Sequence, residues 1–167
     1  MRLFVAVNFT PAVKKVLLEA MDSLKNQGCR ANFTHPENLH LTLAFIGETF
    51  RVEEIQKALD KVNSMCFEMD IVGSGHFGSL FYADIEKNKE LVALVENIRC
   101  VLTKMGILID KKPFSPHITL AREVVCAKKP VLYIERTKVP VKGFSLMKSE
   151  RINGKLIYTK IYEKIFM

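Results

Sequence analysis

The chain has 167 residues, 49% of them hydrophobic, and a formal charge of +7 from 25 Lys and Arg against 18 Asp and Glu. That length supports one sizeable core, or two lobes sharing it, and argues against two independent domains; no stretch approaches the ~20 apolar residues of a membrane span, and the apolar run at the start is too short for a signal peptide, so cytoplasmic residence is the expectation. The positive charge favours polyanions such as nucleic acid or nucleotides, although a solvated basic surface accounts for it equally well.

Leu3 to Asn8 is a short run of β-formers and predicts a strand. Thr10 then caps and Pro11 opens a helix, with Val13, Val16, Leu17, Ala20, Met21 and Leu24 at helical spacing up to Gly28. A polar connection leads to Pro36-Glu37-Asn38, followed by a strand from Leu39 to Ile46 that Gly47 ends. Val52, Ile55, Ala58, Leu59 and Val62 predict a second helix, and Met65 to Val72 a strand that runs into a glycine-rich tight turn from Gly73 to Gly78. That turn lacks the lysine of a P-loop and the spacing of a dinucleotide fingerprint.

The second half has similar grammar: a strand from Leu80 to Ile85, a helix from Lys89 to Met105 ended by Gly106, and a strand from Ile118 to Val124 behind Pro113-Phe114-Ser115-Pro116. Val139 to Ser149 and Lys155 to Tyr162 read as strands flanking an Asn153-Gly154 hairpin turn. Cys29, Cys66, Cys100 and Cys126 are widely separated and show no CxxC spacing, so reduced, mostly buried thiols are expected. The expected architecture is one bilobal α+β domain over residues 1–167, pseudo-twofold, with mainly antiparallel sheets around a central cleft and helices outside.

Two strings carry the chemistry: His40-Leu41-Thr42-Leu43 and His117-Ile118-Thr119-Leu120. On a strand, side chains two apart leave the same face, so each string buries aliphatics on one side and presents His with Thr on the other. A single copy is more often structural; two copies in one register argue for an enzyme. Opposed imidazoles supply a general base and a general acid near neutral pH, as in-line cleavage of a cyclic phosphodiester requires, and the threonine hydroxyls suit non-bridging phosphate oxygens. His35, before Pro36, and His76, in the glycine turn, read as surface or turn residues. A four-histidine metal site is disfavoured by their scattered spacing and the absence of a carboxylate cluster.

The flanks of these strings sharpen the reading. Arg2-Leu3-Phe4-Val5-Ala6, Pro36-Glu37-Asn38-Leu39-His40-Leu41-Thr42-Leu43-Ala44-Phe45-Ile46-Gly47-Glu48, Phe77-Gly78 and Pro113-Phe114-Ser115-Pro116-His117-Ile118-Thr119-Leu120-Ala121-Arg122 together resemble the RNA 2',3'-cyclic phosphodiesterases, or 2'-5' RNA ligases, of the 2H phosphoesterase superfamily. The resemblance implies metal-independent, cofactor-free hydrolysis of an RNA-terminal 2',3'-cyclic phosphate to a 2'-phosphate, with reversible 2'-5' ligation as an accompanying possibility. His40 maps to the proton donor, His117 to the proton acceptor, and Thr42, Thr119 and Arg122 to phosphate contacts. Phe4 maps to the base-binding edge, although an apolar strand residue is more often core. Arg122 poses a second difficulty: 117 and 122 have opposite parity, so only a bulge or a strand end turns it inward.

The implied partner is RNA with a 2',3'-cyclic phosphate end, tRNA fragments included, with no membrane and no obligate protein partner. Lys128, Lys129, Arg136, Lys138, Lys142 and Lys148 are candidates for tracking an RNA backbone. Two other readings compete: a phosphodiesterase acting on a small cyclic nucleotide, and a non-catalytic RNA-binding module. Phe33, where many relatives carry Trp, and Ser115, where some carry a basic residue, depart from the family pattern and bear on base preference and RNA affinity.

Overall fold

Nine strands and three α-helices make up the computed structural model, which describes all 167 residues. They are β1 (Arg2–Asn8), α1 (Pro11–Asn26), β2 (Arg30–Phe33), β3 (His40–Glu48), α2 (Val52–Asp60), β4 (Phe67–Phe77), β5 (Leu80–Ile85), α3 (Lys89–Lys104), β6 (His117–Val125), β7 (Thr137–Val141), β8 (Gly143–Ile152) and β9 (Lys155–Ile165). One sheet has the order β3-β1-β8-β9 and the other β2-β6-β5-β4-β7, every pair antiparallel. The α+β, two-sheet expectation holds. No helix is long and apolar enough to cross a membrane.

The helices start where side chains can satisfy their first free N–H groups. Thr10 accepts from the Val13 amide at 3.4 Å, and Asn88 accepts from the Leu91 amide at 2.8 Å. Their apolar stripes lock the lobes together. α1 follows a strand of the four-stranded sheet but packs against β6 of the other, while α3 follows a strand of the five-stranded sheet and packs against β3. One cluster of 34 buried residues therefore runs through both sheets and all three helices. Leu3, Val5 and Val7 enter it from β1, and Ile118 and Leu120 from β6, which leaves the opposite sheet faces for the cleft.

Four expectations are corrected. The polar connection before Pro36 contains β2, a four-residue edge strand recruited by pairing with β6 rather than by any apolar alternation of its own. The glycine-rich segment is strand, not a tight turn: β4 continues to Phe77 and only Gly78 and Ser79 turn. The run from Val139 to Ser149 is two strands in different sheets, β7 with its proline on an edge and β8, and the chain crosses at Lys142. Gly143 permits that crossing, because a Cβ there would stand 2.2 Å from the Lys164 carbonyl oxygen. Last, the cysteines are not reduced, mostly buried thiols: Cys29 and Cys126 form a disulfide, and Cys66 and Cys100 are exposed. Distance along the chain hid that pair, since Arg30 lies opposite Val125 and the bridge closes the end of the β2–β6 ladder.

Candidate active site

Each motif strand holds its histidine in the same way. The Nδ1–H of His40 donates to the Asn38 carbonyl at 2.7 Å, and the Nδ1–H of His117 donates to the Ser115 carbonyl at 2.7 Å. A carbonyl only accepts, so both rings carry the Nδ1 proton and present Nε2 as the atom that exchanges protons. The Nε2 of His40 lies 3.0 Å from the Thr42 hydroxyl, whereas that of His117 has no hydrogen-bond partner within the protein. Asn38 does double duty, because its buried side chain also donates to the Leu156 carbonyl at 2.9 Å and ties the first motif to β9.

Arg122 reaches the cleft through the bulge that its parity requires. Tyr82 pairs with Thr119 and Phe81 with Ala121, so Leu120 is an extra residue on β6, and Leu120 and Ala121 are buried consecutively. The next side chain, Arg122, returns to the face of His117 and Thr119, and its charge acts on both His40 and Tyr158. β3 repeats the device, with Val5 opposite Ala44 and Ala6 opposite Thr42. Phe45 thus stands where Arg122 stands on β6, and the Arg2 guanidinium lies 5.0 Å above its ring centroid.

Aromatic rings flank both imidazoles. Phe4 lies 4.9 Å from His40 and 5.0 Å from Tyr158 between centroids, and Tyr158 meets His40 edge-on at 5.2 Å. Phe4 is on the cleft face but only 4% exposed, packed with Ala6, Met147 and Tyr158. On the other sheet Tyr82 and Phe77 lie 5.5 and 5.8 Å from His117. Sequence reasoning missed Tyr158 and Tyr82, which carry no motif; their cross-strand positions opposite Ser149 and Thr119 place them in the cleft. His35 precedes the 3-10 turn at Pro36–Asn38, and His76 bonds the Gly78 carbonyl at 3.1 Å, both away from the paired motifs.

Burial pushes the His40 pKa below the ordinary histidine value; the Asn38 carbonyl opposes this, and the nearby charges of His117 and Arg122 add to it. Burial raises the Tyr158 hydroxyl, against the pull of Arg122, Arg2 and Arg151. No three His, Cys, Asp or Glu side chains gather where they could hold a metal ion. Removing one of the cations that act on His40 gives a direct check. In Arg122→Met, the His40 ring followed by NMR titrates at higher pH than in the unsubstituted protein and still below about 6.5, because burial is the larger cause. An unchanged midpoint would place the guanidinium out of electrostatic reach.

This geometry meets an independent match in sequence: the model of the 2'-5' RNA ligase superfamily fits residues 13–151. The chain belongs to that superfamily. Its relatives there include the RNA 2',3'-cyclic phosphodiesterase of Thermotoga maritima, 30% identical over 98% of this chain and 94% of that one. The enzyme of the same name from Thermus thermophilus is 32% identical over 95% of this chain and 87% of its own. A crystal structure of a Thermus thermophilus protein superposes with a TM-score of 0.87 at 27% identity, covering 99% of this chain and 98% of that one. Apo LigT of Escherichia coli shares the fold with a TM-score of 0.84 at 21% identity, over 99% and 96% of the two chains. The bilobal superfamily architecture is therefore shown for the whole chain.

Proposed function

We propose that this protein hydrolyses RNA-terminal 2',3'-cyclic phosphodiesters to 2'-phosphomonoesters through two histidines and without a metal. The observation that carries the reading is the duplicated mounting of His40 and His117, each with Nδ1–H fixed on a carbonyl two residues upstream and Nε2 left for proton transfer. Relatives that match nearly the full chain bear the name of this activity.

In the proposed step, His117 Nε2 removes a proton from water, the water oxygen bonds to phosphorus, and the bond from phosphorus to O3' breaks in line. His40, protonated at Nε2, delivers its proton to O3', giving a 3'-hydroxyl and a 2'-phosphate. Thr42, Thr119 and Arg122 hold the non-bridging oxygens, where the guanidinium offers a planar, permanently charged fork. Phe4, with its ring packed on His40 and Tyr158, supports the donor histidine, while Tyr158 is the aromatic that stays accessible beside it.

The electrostatics make a pH prediction whose sign is fixed. A donor must be protonated in the free enzyme, and His40 binds its proton less tightly than an ordinary histidine. The kcat/KM profile therefore turns down with rising pH on the acid side of about 6.5, and Arg122→Met moves that limb to higher pH while lowering the maximum. Product analysis on a short RNA ending in a 2',3'-cyclic phosphate tests the reaction itself. The expected product is a terminal 2'-phosphate, formed equally in EDTA. Exclusive 3'-phosphate would reverse the leaving group, and loss in EDTA restored by zinc or manganese would overturn the two-histidine account.

A further inference from the structure

The two aromatic sets around the histidines are not equivalent. On the His40 side Phe4 is covered, but on the His117 side Phe77 is 53% exposed. Phe77 lies in a parallel-displaced stack on Tyr82, with centroids 4.6 Å apart and an interplanar angle of 26°, and meets His117 edge-on at 85°. The backbone is shaped to allow this. Gly75 sits opposite Tyr82, and a Cβ there would fall 2.4 Å from the tyrosine oxygen, so the ring occupies the place of a side chain at 75 and props Phe77 from beneath. A large aromatic face thus stands open beside the imidazole that activates the nucleophile.

Hydrolysis leaves this face without a partner. His40 protonates O3', so the terminal ribose and the rest of the RNA lie on the His40 side of phosphorus, and in-line attack brings only water past His117. We infer that Phe77 and Tyr82 form a second nucleoside subsite, which takes a nucleoside or RNA end with a free 5'-hydroxyl by stacking its base on Phe77 and presents that hydroxyl to His117 in place of water. The assignment rests on the two-histidine function proposed above and adds the residues that hold an acceptor. In the step, His117 Nε2 takes the proton of the 5'-hydroxyl and O5' bonds to phosphorus. The bond to O3' breaks, and O3' receives the proton of His40. The product is a 2',5'-phosphodiester with a free 3'-hydroxyl, and no other reactant is consumed. Aromatic stacking accepts any base, so the subsite selects for a nucleoside rather than for a particular one.

The test is a partition experiment with the full chain, a short RNA carrying a 2',3'-cyclic end, and adenosine as the acceptor. The ratio of 2',5'-linked adduct to hydrolysed product is expected to saturate with adenosine. In Phe77→Ala it falls by about tenfold or more, the loss of one base stack. Hydrolysis without adenosine changes by no more than about threefold, methanolysis, which needs no stacking, keeps its partition, and Phe77→Trp restores the adduct. Parallel loss of hydrolysis and transfer would show that Phe77 only braces His117 and would overturn the subsite, as would an adduct ratio indifferent to Phe77→Ala. If the unsubstituted protein neither hydrolyses nor transfers, the proposed function fails. The subsite is then decided by adenosine binding: shifts of the Phe77 and Tyr82 ring signals that vanish in Phe77→Ala uphold it, and no shifts overturn it.

Discussion

His40→Ala and His117→Ala each lower turnover on a 2',3'-cyclic RNA end by about 10² or more, the usual scale of a general acid or base, and do so without unfolding the protein. Neither ring belongs to the 34-residue core cluster, and each is held by a backbone carbonyl that a substitution leaves in place. Thermal midpoints are therefore expected to stay close to that of the unsubstituted protein while activity collapses. Thr42→Ala and Thr119→Ala are expected to cost less, because the phosphate contact proposed for Arg122 is left in place. Combining the two histidine changes costs far less than the product of the single effects, since the two act as one unit. Near-full turnover in either histidine variant, with loss instead in His35→Ala or His76→Ala, would move the site elsewhere.

The second large effect is on stability. The Cys29–Cys126 bridge closes a loop with a sequence separation of 97. In the chain-entropy account such a link destabilises the unfolded chain by about 4.7 kcal/mol, and for a domain of this size that corresponds to roughly 10–20 °C in the melting midpoint. Reduction, or Cys29→Ser with Cys126→Ser, is expected to lower the midpoint on that scale. Added reductant should leave the double variant unchanged. The bridge ends the β2–β6 ladder in which Asn32 pairs with Arg122, so the unbridged protein should lose more in KM than in kcat. Equal melting with and without reductant, or four free thiols under non-reducing conditions, would remove the bridge from the account.

Much of this was legible in residue order. The alternation in His40-Leu41-Thr42 and His117-Ile118-Thr119 reports directly which side chains share a face, and a helix such as α1 announces itself by its Thr10 cap, Pro11 and apolar residues at helical spacing. What escaped depends on partners remote in sequence. β2 exists because β6 offers it a ladder, and the glycines at 73 and 75 look like a turn until β5 is laid beside them, with Asp84 opposite Gly73 and Tyr82 opposite Gly75. Arg122 shows the limit most clearly. Its orientation depends on one surplus residue, Leu120, and a surplus residue is defined only against a neighbouring strand. The disulfide was hidden for the same reason: proximity across a sheet leaves no trace in spacing along the chain.

The strand order of the smaller sheet carries a consequence for how the protein is made. β1 lies between β3 and β8, and β8 in turn pairs with β9, so the lobe that holds His40 is built from both ends of the polypeptide. Tyr158, the ring that meets His40 edge-on, lies on that final strand. A nascent chain that has already exposed both histidine motifs to solvent still lacks half of this sheet. However early both motifs are made, the sheet that carries His40 cannot close until the β8–β9 hairpin is there to pair with β1.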